Sequence, residues 1–114
     1  MNQKLKIGVL GAGHLGKIHL RLLQESSAYE LVGFYDSQPQ IAAKISREFG
    51  YRSFSEVDNL LDEVDVIDIV TPTISHFELG KKALEKGLHI FLEKPITATV
   101  EEAIELVSLA KAKG

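Results

Sequence analysis

The fold is decided by the stretch Lys4-Leu-Lys-Ile-Gly-Val-Leu-Gly-Ala-Gly-His-Leu-Gly16, near the start of this 114-residue chain. Its first part, Leu5 to Leu10, is a mostly apolar run typical of a buried parallel strand. Three glycines follow with the spacing Gly11-x-Gly13-x-x-Gly16, and apolar residues recur after them at helical intervals. The sequence therefore predicts a strand, a glycine-rich turn and a helix, in that order.

The spacing of the glycines has a physical basis. Gly11 permits a tight turn, Gly13 lets a pyrophosphate approach the backbone, and Gly16 lets the helix pack against the strand. Phosphates then lie on N–H groups at the helix N-terminus, where the helix dipole favours negative charge. Asp36 ends a second apolar run and follows Gly16 by about 20 residues, where a carboxylate accepts both ribose hydroxyls and repels a 2′-phosphate. The pattern predicts a dinucleotide site that favours NAD and leaves room for NADP.

Two other interpretations of the same residues stay open. Gly11 and Gly13 could form a purely structural turn, with Asp36 or Ser37 serving only as a helix cap. The same strand–turn–helix arrangement also occurs in methyltransferases that bind adenosylmethionine. Nucleotide binding is therefore predicted more firmly than redox chemistry.

The rest of the chain alternates strand and helix patterns. Strands are predicted over residues 4–10, 30–36, 51–54, 64–70 and 88–92, with helical patterns between them and after the last. This alternation predicts an α/β fold: a Rossmann-type doubly wound parallel sheet of five strands, in the order 3-2-1-4-5, with helices on both faces. The ligand is expected at the carboxyl ends of strands 1 and 4.

Finer details of the helices are also predicted. The first helix should present Leu15, Ile18, Leu22 and Leu23 on its apolar side. Ser75 and Glu78 have capping-box spacing, which predicts that they cap the fourth helix. Gly50 should end the second helix.

Composition excludes several classes of function. The net charge of −3 gives no basic surface for nucleic acid or an anionic membrane, and no apolar run approaches the length of a membrane span. The chain has no Cys, which rules out disulfides and thiolate chemistry and agrees with a cytoplasmic location. Its four histidines and its acidic residues show no metal-ligand spacing, so no metal is expected.

Two later segments narrow the interpretation, because both follow predicted strands at the ligand-facing edge of the sheet. They are Thr71-Pro72-Thr-Ile-Ser-His76 and Glu93-Lys94-Pro95. Together with the opening glycines and the phrase Ala83-Leu-Glu-Lys-Gly-Leu-His-Ile-Phe-Leu-Glu93-Lys-Pro95, they resemble the glucose-fructose oxidoreductase, inositol dehydrogenase and rhizopine catabolism (Gfo/Idh/MocA) family. The resemblance implies a nicotinamide-dependent oxidoreductase that acts on sugars, polyols or related compounds.

The resemblance also implies roles for individual residues. Lys94 is implied to be catalytic, because the lysine of Glu-Lys-Pro in this family helps to position substrate and cofactor and assists proton transfer from the reacting hydroxyl. The implied cofactor-binding residues are Gly11, Gly13, His14, Leu15, Gly16, Asp36, Thr71, Pro72, His76, Glu93, Lys94 and Pro95.

Three polar residues have competing interpretations on chemical grounds alone. His76 could equally be an ordinary surface residue at a helix start. His19 falls on the apolar side of the first helix, which favours a core or interface histidine. Asp68 interrupts a strand that should be buried, so it needs a partner or an opening to solvent.

Residues 1–114 are interpreted as one NAD(P)-binding domain, without the second, substrate-binding domain of the family. Two classes of function stay open: an oxidoreductase, or a non-catalytic NAD(P)-binding or sensor module. We expect the chain alone to bind cofactor but to turn over sugars or polyols negligibly. A homo-oligomer is also predicted, because the fifth strand would be an apolar edge able to pair with a second copy.

Overall fold

The structure, a computed structural model, describes residues 4–72, 75–92, 104 and 107–111. Its elements are β1 (Leu5–Leu10), α1 (His14–Glu25), β2 (Tyr29–Tyr35), α2 (Pro39–Phe49), β3 (Ser53–Phe54), α3 (Val57–Leu61), β4 (Val66–Ile69), α4 (His76–Glu85) and β5 (His89–Leu92). All strand pairs are parallel, and the order is β3-β2-β1-β4-β5. The predicted Rossmann-type fold and strand order are confirmed.

Two apolar cores lie on opposite faces of the sheet, because successive residues of a strand point to opposite sides. Val9 packs with Leu20 of α1 and with Ala42 and Ile45 of α2. Its neighbour Leu10 belongs to the other core, which contains Leu60 and Leu61 of α3, Ile67 and Ile69 of β4, and Ala83 of α4. The sheet therefore carries helices on both faces, as the sequence predicts.

The buried side of α1 agrees with the predicted one in part: Ile18 and Leu23 are half-buried, and Leu23 packs against the core. Leu15 and Leu22 are 44% and 54% exposed, whereas Leu20 is completely buried. The cause is Gly16, where an added Cβ would overlap the carbonyl oxygen of Gly11. This close approach turns the Gly16 side of the helix toward the sheet, so Leu20, one turn later, is buried and Leu15 and Leu22 point away.

The predicted helix ends are partly correct. Gly50 ends α2 in the left-handed conformation, with φ of 77°, and its N–H donates to the Ser46 carbonyl oxygen at 2.8 Å. The predicted capping box at α4 is wrong, because neither Ser75 nor any other described residue caps this helix with a side-chain hydrogen bond. The Ser75 hydroxyl contacts the preceding loop instead, at Thr71 and Pro72. Short polar side chains often choose such local partners over a cap.

The strands are shorter than predicted at β3 and β4, and β5 lies at the edge of the described sheet. Phe91 of β5 is half exposed. Pairing of β5 with a second copy stays a prediction. Among the described residues, no helix is both long and apolar enough to cross a membrane.

Candidate cofactor-binding site

The first glycine of the turn is required by its surroundings as well as by its backbone conformation. Gly11 directly follows β1 and has φ of 101°, a backbone angle that residues with a side chain rarely adopt. An added Cβ would lie 2.9 Å from the carbonyl carbon and oxygen of Val70 and 3.0 Å from the nitrogen of Thr71. The turn after β1 therefore packs directly against the backbone that leaves β4.

The second glycine faces open space. Gly13 is exposed, and an added Cβ would meet no atom within 4 Å. It is the N-cap of α1, and within the described part of the chain no side-chain hydrogen bond caps this helix and no acidic residue lies in its first turn. Helix N-termini carry N–H groups without intrahelical partners and a partial positive charge. This end of α1 is therefore suited to an anionic group such as a pyrophosphate.

Asp36 connects the end of β2 to the glycine turn. Its Oδ2 accepts a hydrogen bond from the N–H of Ala12 at 2.8 Å, and its Oδ1 accepts one from the N–H of Gln38 at 2.8 Å. The N-cap of α2 is Gln38, with no side-chain hydrogen bond, so neither Asp36 nor Ser37 caps this helix. Each carboxylate oxygen has a second lone pair, which leaves both oxygens able to accept a ribose hydroxyl.

The segment after β4 forms a second loop beside the turn. Thr71 directly follows Val70, and its hydroxyl oxygen lies 2.7 Å from the Ser75 hydroxyl oxygen. His76 is only 2% exposed, and its Nε2 lies 2.9 Å from the Thr71 carbonyl oxygen. The interpretation of His76 as a surface residue is wrong, because this imidazole is enclosed under the loop at the start of α4.

The sequence did not identify the partner of Asp68. This residue of β4 is 6% exposed, and its Oδ2 accepts a hydrogen bond from His19 Nδ1 at 2.6 Å. The break in an apolar strand indicated that Asp68 needs a partner or an opening. His19 lies on α1, and no local spacing connects it with β4.

The structure brings most of the predicted site residues to one edge of the sheet. Gly11, Gly13, Gly16, Asp36, Thr71, Pro72 and His76 lie at the ends of β1, β2 and β4 or in the segments that follow them. His14 is the first residue of α1, and Leu15 is exposed in its first turn. Glu93, Lys94 and Pro95 lie outside the described residues. The described residues therefore cover the part of the site that is predicted to hold the adenosine and the pyrophosphate.

Comparison with known proteins agrees with this geometry. The strand order, the glycine turn and the acidic residue after β2 define a Rossmann-type nucleotide-binding domain. A family model described as an oxidoreductase family with an NAD-binding Rossmann fold (Gfo/Idh/MocA) matches residues 5–114. The chain belongs to this family, and its domain is an NAD-binding one.

Three relatives illustrate the family. UDP-N-acetylglucosamine 3-dehydrogenase of Acidithiobacillus ferrooxidans is 39% identical over 107 residues, which are 94% of this chain and 34% of the relative. Its solved structure superposes with a TM-score of 0.88, covering 98% of this chain and 36% of that one. The scyllo-inositol 2-dehydrogenase (NAD(+)) of Bacillus subtilis is 36% identical over 107 residues, 90% of this chain and 31% of that protein.

The third relative is a solved biliverdin reductase from Synechocystis sp. PCC 6803, in complex with biliverdin and NADP+. It is 27% identical with a TM-score of 0.90, covering 96% of this chain and 35% of that one. The chain spans about a third of the length of the curated relatives that it matches.

Proposed function

We propose that the protein, joined to a substrate domain, transfers a hydride between NAD(P) and the hydroxyl-bearing carbon of a sugar, a polyol or a related small molecule. The observation that carries the proposal is the Asp36 carboxylate seated against the Ala12 N–H of the glycine turn. Through this contact, a carboxylate suited to ribose hydroxyls lies beside a turn suited to a pyrophosphate, which supports the proposal. The substrate class is supported by two of the three relatives described above, whose names identify a sugar nucleotide and a cyclic polyol as substrates.

Each part of the cofactor for which described residues are proposed has groups of suitable chemistry. The open space at Gly13 and the uncapped start of α1 suit the pyrophosphate, Asp36 suits the adenosine ribose, and Thr71 and Pro72 supply a wall beside them. When bound, the nicotinamide would supply the redox chemistry, as acceptor or donor of the hydride of the hydroxyl-bearing carbon, and the proton of that hydroxyl would be left for the protein to move. Glu93, Lys94 and Pro95 are proposed for this end of the cofactor, with Lys94 assisting the movement of the proton.

Cofactor titration tests the proposal directly. Isothermal calorimetry with NADH, NADPH and adenosylmethionine should show binding of NADH and no binding of adenosylmethionine. Binding of adenosylmethionine alone would support the methyltransferase interpretation and exclude the proposed reaction.

Residues 1–114 correspond to only a part of the related enzymes, so we propose that they bind cofactor without appreciable turnover by themselves. The described residues support the alternative function, a non-catalytic NAD(P)-binding module, equally well, because Lys94 is not among them. Sugar or polyol turnover by this domain when it is joined to a substrate domain would decide in favour of the oxidoreductase. A cytoplasmic location and a homo-oligomeric state complete the proposal.

Asp36 should determine the choice between the two cofactors. The unsubstituted protein is expected to bind NADH more tightly than NADPH, because the carboxylate repels a 2′-phosphate. Asp36→Ala should weaken NADH binding by roughly tenfold, the loss of one or two hydrogen bonds to a charged group, and weaken NADPH binding less. Calorimetric titration measures both, with Ser37→Ala as the exposed neighbouring control. Tighter binding of NADPH by the unsubstituted protein would contradict the assignment.

Lys94 should matter for turnover more than for cofactor affinity. When this domain is joined to a substrate domain, Lys94→Ala is expected to lower kcat by about 100-fold, a typical contribution of a positioned proton-transfer group, with little change in the Kd for NADH. The control is Lys86→Ala, because Lys86 follows α4 and pairs with the exposed Asp62 carboxylate. Equal turnover in the two variants would remove Lys94 from the catalytic machinery.

A further inference from the structure

The loop after β4 is held by a buried imidazole. His76 is 2% exposed, and its Nε2 lies 2.9 Å from the Thr71 carbonyl oxygen. A carbonyl oxygen only accepts, so Nε2 carries the proton and donates it in this bond. That nitrogen is therefore already committed to the backbone and is enclosed by protein.

A second contact closes the same loop. The Ser75 hydroxyl oxygen lies 2.7 Å from the Thr71 hydroxyl oxygen and 2.7 Å from the Pro72 carbonyl oxygen. The N–H of Ser75 also donates to the Pro72 carbonyl at 2.9 Å. The start of α4 thus binds the segment that leaves β4 through both its backbone and its side chains.

The held segment is the wall of the glycine turn. The N–H of Val70 donates to the Leu10 carbonyl oxygen at 2.8 Å, which aligns the two strand ends. The peptide between Val70 and Thr71 then lies so close to Gly11 that a Cβ there would be 2.9 Å from the Val70 carbonyl carbon. The Thr71 carbonyl belongs to the next peptide, between Thr71 and Pro72. A shift of this carbonyl would therefore reach the peptide that contacts Gly11 through the Cα of Thr71, which the two peptides share.

We propose that His76 is a positioning residue for cofactor binding: it fixes the Thr71 carbonyl, and through the backbone of Thr71 it fixes the preceding peptide, which contacts the turn at Gly11. The inference rests on the proposed function and deepens it, because His76 acts through the backbone rather than by touching the nicotinamide. Its effect should therefore reach any ligand that uses the glycine turn.

The test compares His76→Gln, which retains an N–H donor near the position of Nε2, with His76→Leu, which fills a similar space without a donor. Binding of NADH and of ADP-ribose, which lacks the nicotinamide, is measured by calorimetry, and unfolding of the ligand-free proteins by denaturant. His89→Leu is the matched control, because His89 is exposed at the start of β5. His76→Asn, polar but too short to reach the carbonyl, replaces His76→Leu if that variant fails to fold.

His76→Leu is expected to weaken NADH and ADP-ribose by the same factor, roughly fivefold to tenfold, as expected for one hydrogen bond. His76→Gln should stay within about twofold of the unsubstituted protein, a factor small beside that of one hydrogen bond. A loss confined to NADH would mean a direct nicotinamide contact and would overturn the inference. So would equal losses in the Gln and Leu variants, or no loss in either. If the unsubstituted protein binds neither ligand, the proposed function itself fails, a result that is distinct from all of these.

Discussion

Gly16→Ala is expected to lower the free energy of unfolding by about 2 kcal/mol or more and to weaken NADH binding by at least roughly 100-fold. The added Cβ would overlap the Gly11 carbonyl oxygen, a backbone atom that no rotamer change can move. Relief requires α1 to move away from the turn, which separates the helix N-terminus from the position where the pyrophosphate is expected. Denaturant unfolding and calorimetric titration measure the two effects.

Gly13→Ala provides the matched control for this variant. Its Cβ would meet no atom within 4 Å and its φ of −70° suits alanine, so stability should change by about 1 kcal/mol or less. Binding should still weaken, because the methyl group occupies the open space proposed for the pyrophosphate. If Gly16→Ala proved as stable as Gly13→Ala, the close packing of α1 against the turn would be contradicted.

His19→Leu should lower the free energy of unfolding by about 3 kcal/mol, because it leaves the Asp68 carboxylate buried without its imidazole partner. The double variant with Asp68→Val should recover much of this loss, since an apolar pair of similar size has no charge to bury. Unfolding of the two single variants, the double variant and the unsubstituted protein forms a double-mutant cycle that gives the interaction energy.

An exposed ion pair provides the reference with which the cost of His19→Leu is compared. Lys82→Ala removes the contact of Lys82 with Asp58, in which both side chains are about half exposed, and should change stability by about 1 kcal/mol or less. A cost of His19→Leu no greater than that of Lys82→Ala would show that Asp68 does not depend on His19.

Prediction from the sequence works best at positions where the conformation or close packing of the backbone permits few residue types. Gly11 and Gly16 are such positions, and the strand, turn and helix around them were predicted in the correct order. The parallel sheet followed from the alternation of elements, because right-handed crossovers leave few topologies. Asp36 was placed at the correct edge because it ends the second apolar run and so directly follows β2, although its contact with Ala12 depends on the close approach of β1 and β2.

Contacts between distant segments were not predictable in the same way. The buried side of α1 depends on how closely Gly16 approaches the turn, and the apolar periodicity of the helix does not contain that information. Asp68 pairs with His19 of α1, which is 49 residues away in sequence. Ser75 had the spacing of a cap, yet it contacts Thr71 and Pro72, since a short hydroxyl side chain bonds whichever oxygen the folded loop brings near it.

The bond between Asp36 and the Ala12 N–H has a consequence for how coenzyme preference in this protein can evolve or be engineered. The carboxylate proposed to distinguish NAD from NADP also accepts a hydrogen bond from the glycine turn. Exchanging it for an apolar side chain would admit the extra phosphate while loosening the surface that must bind both phosphates. A successful switch must therefore keep an uncharged acceptor at this position, as in Asp36→Ser or Asp36→Asn. The hydrogen bond of Asp36 to the turn therefore limits which substitutions can change the coenzyme preference.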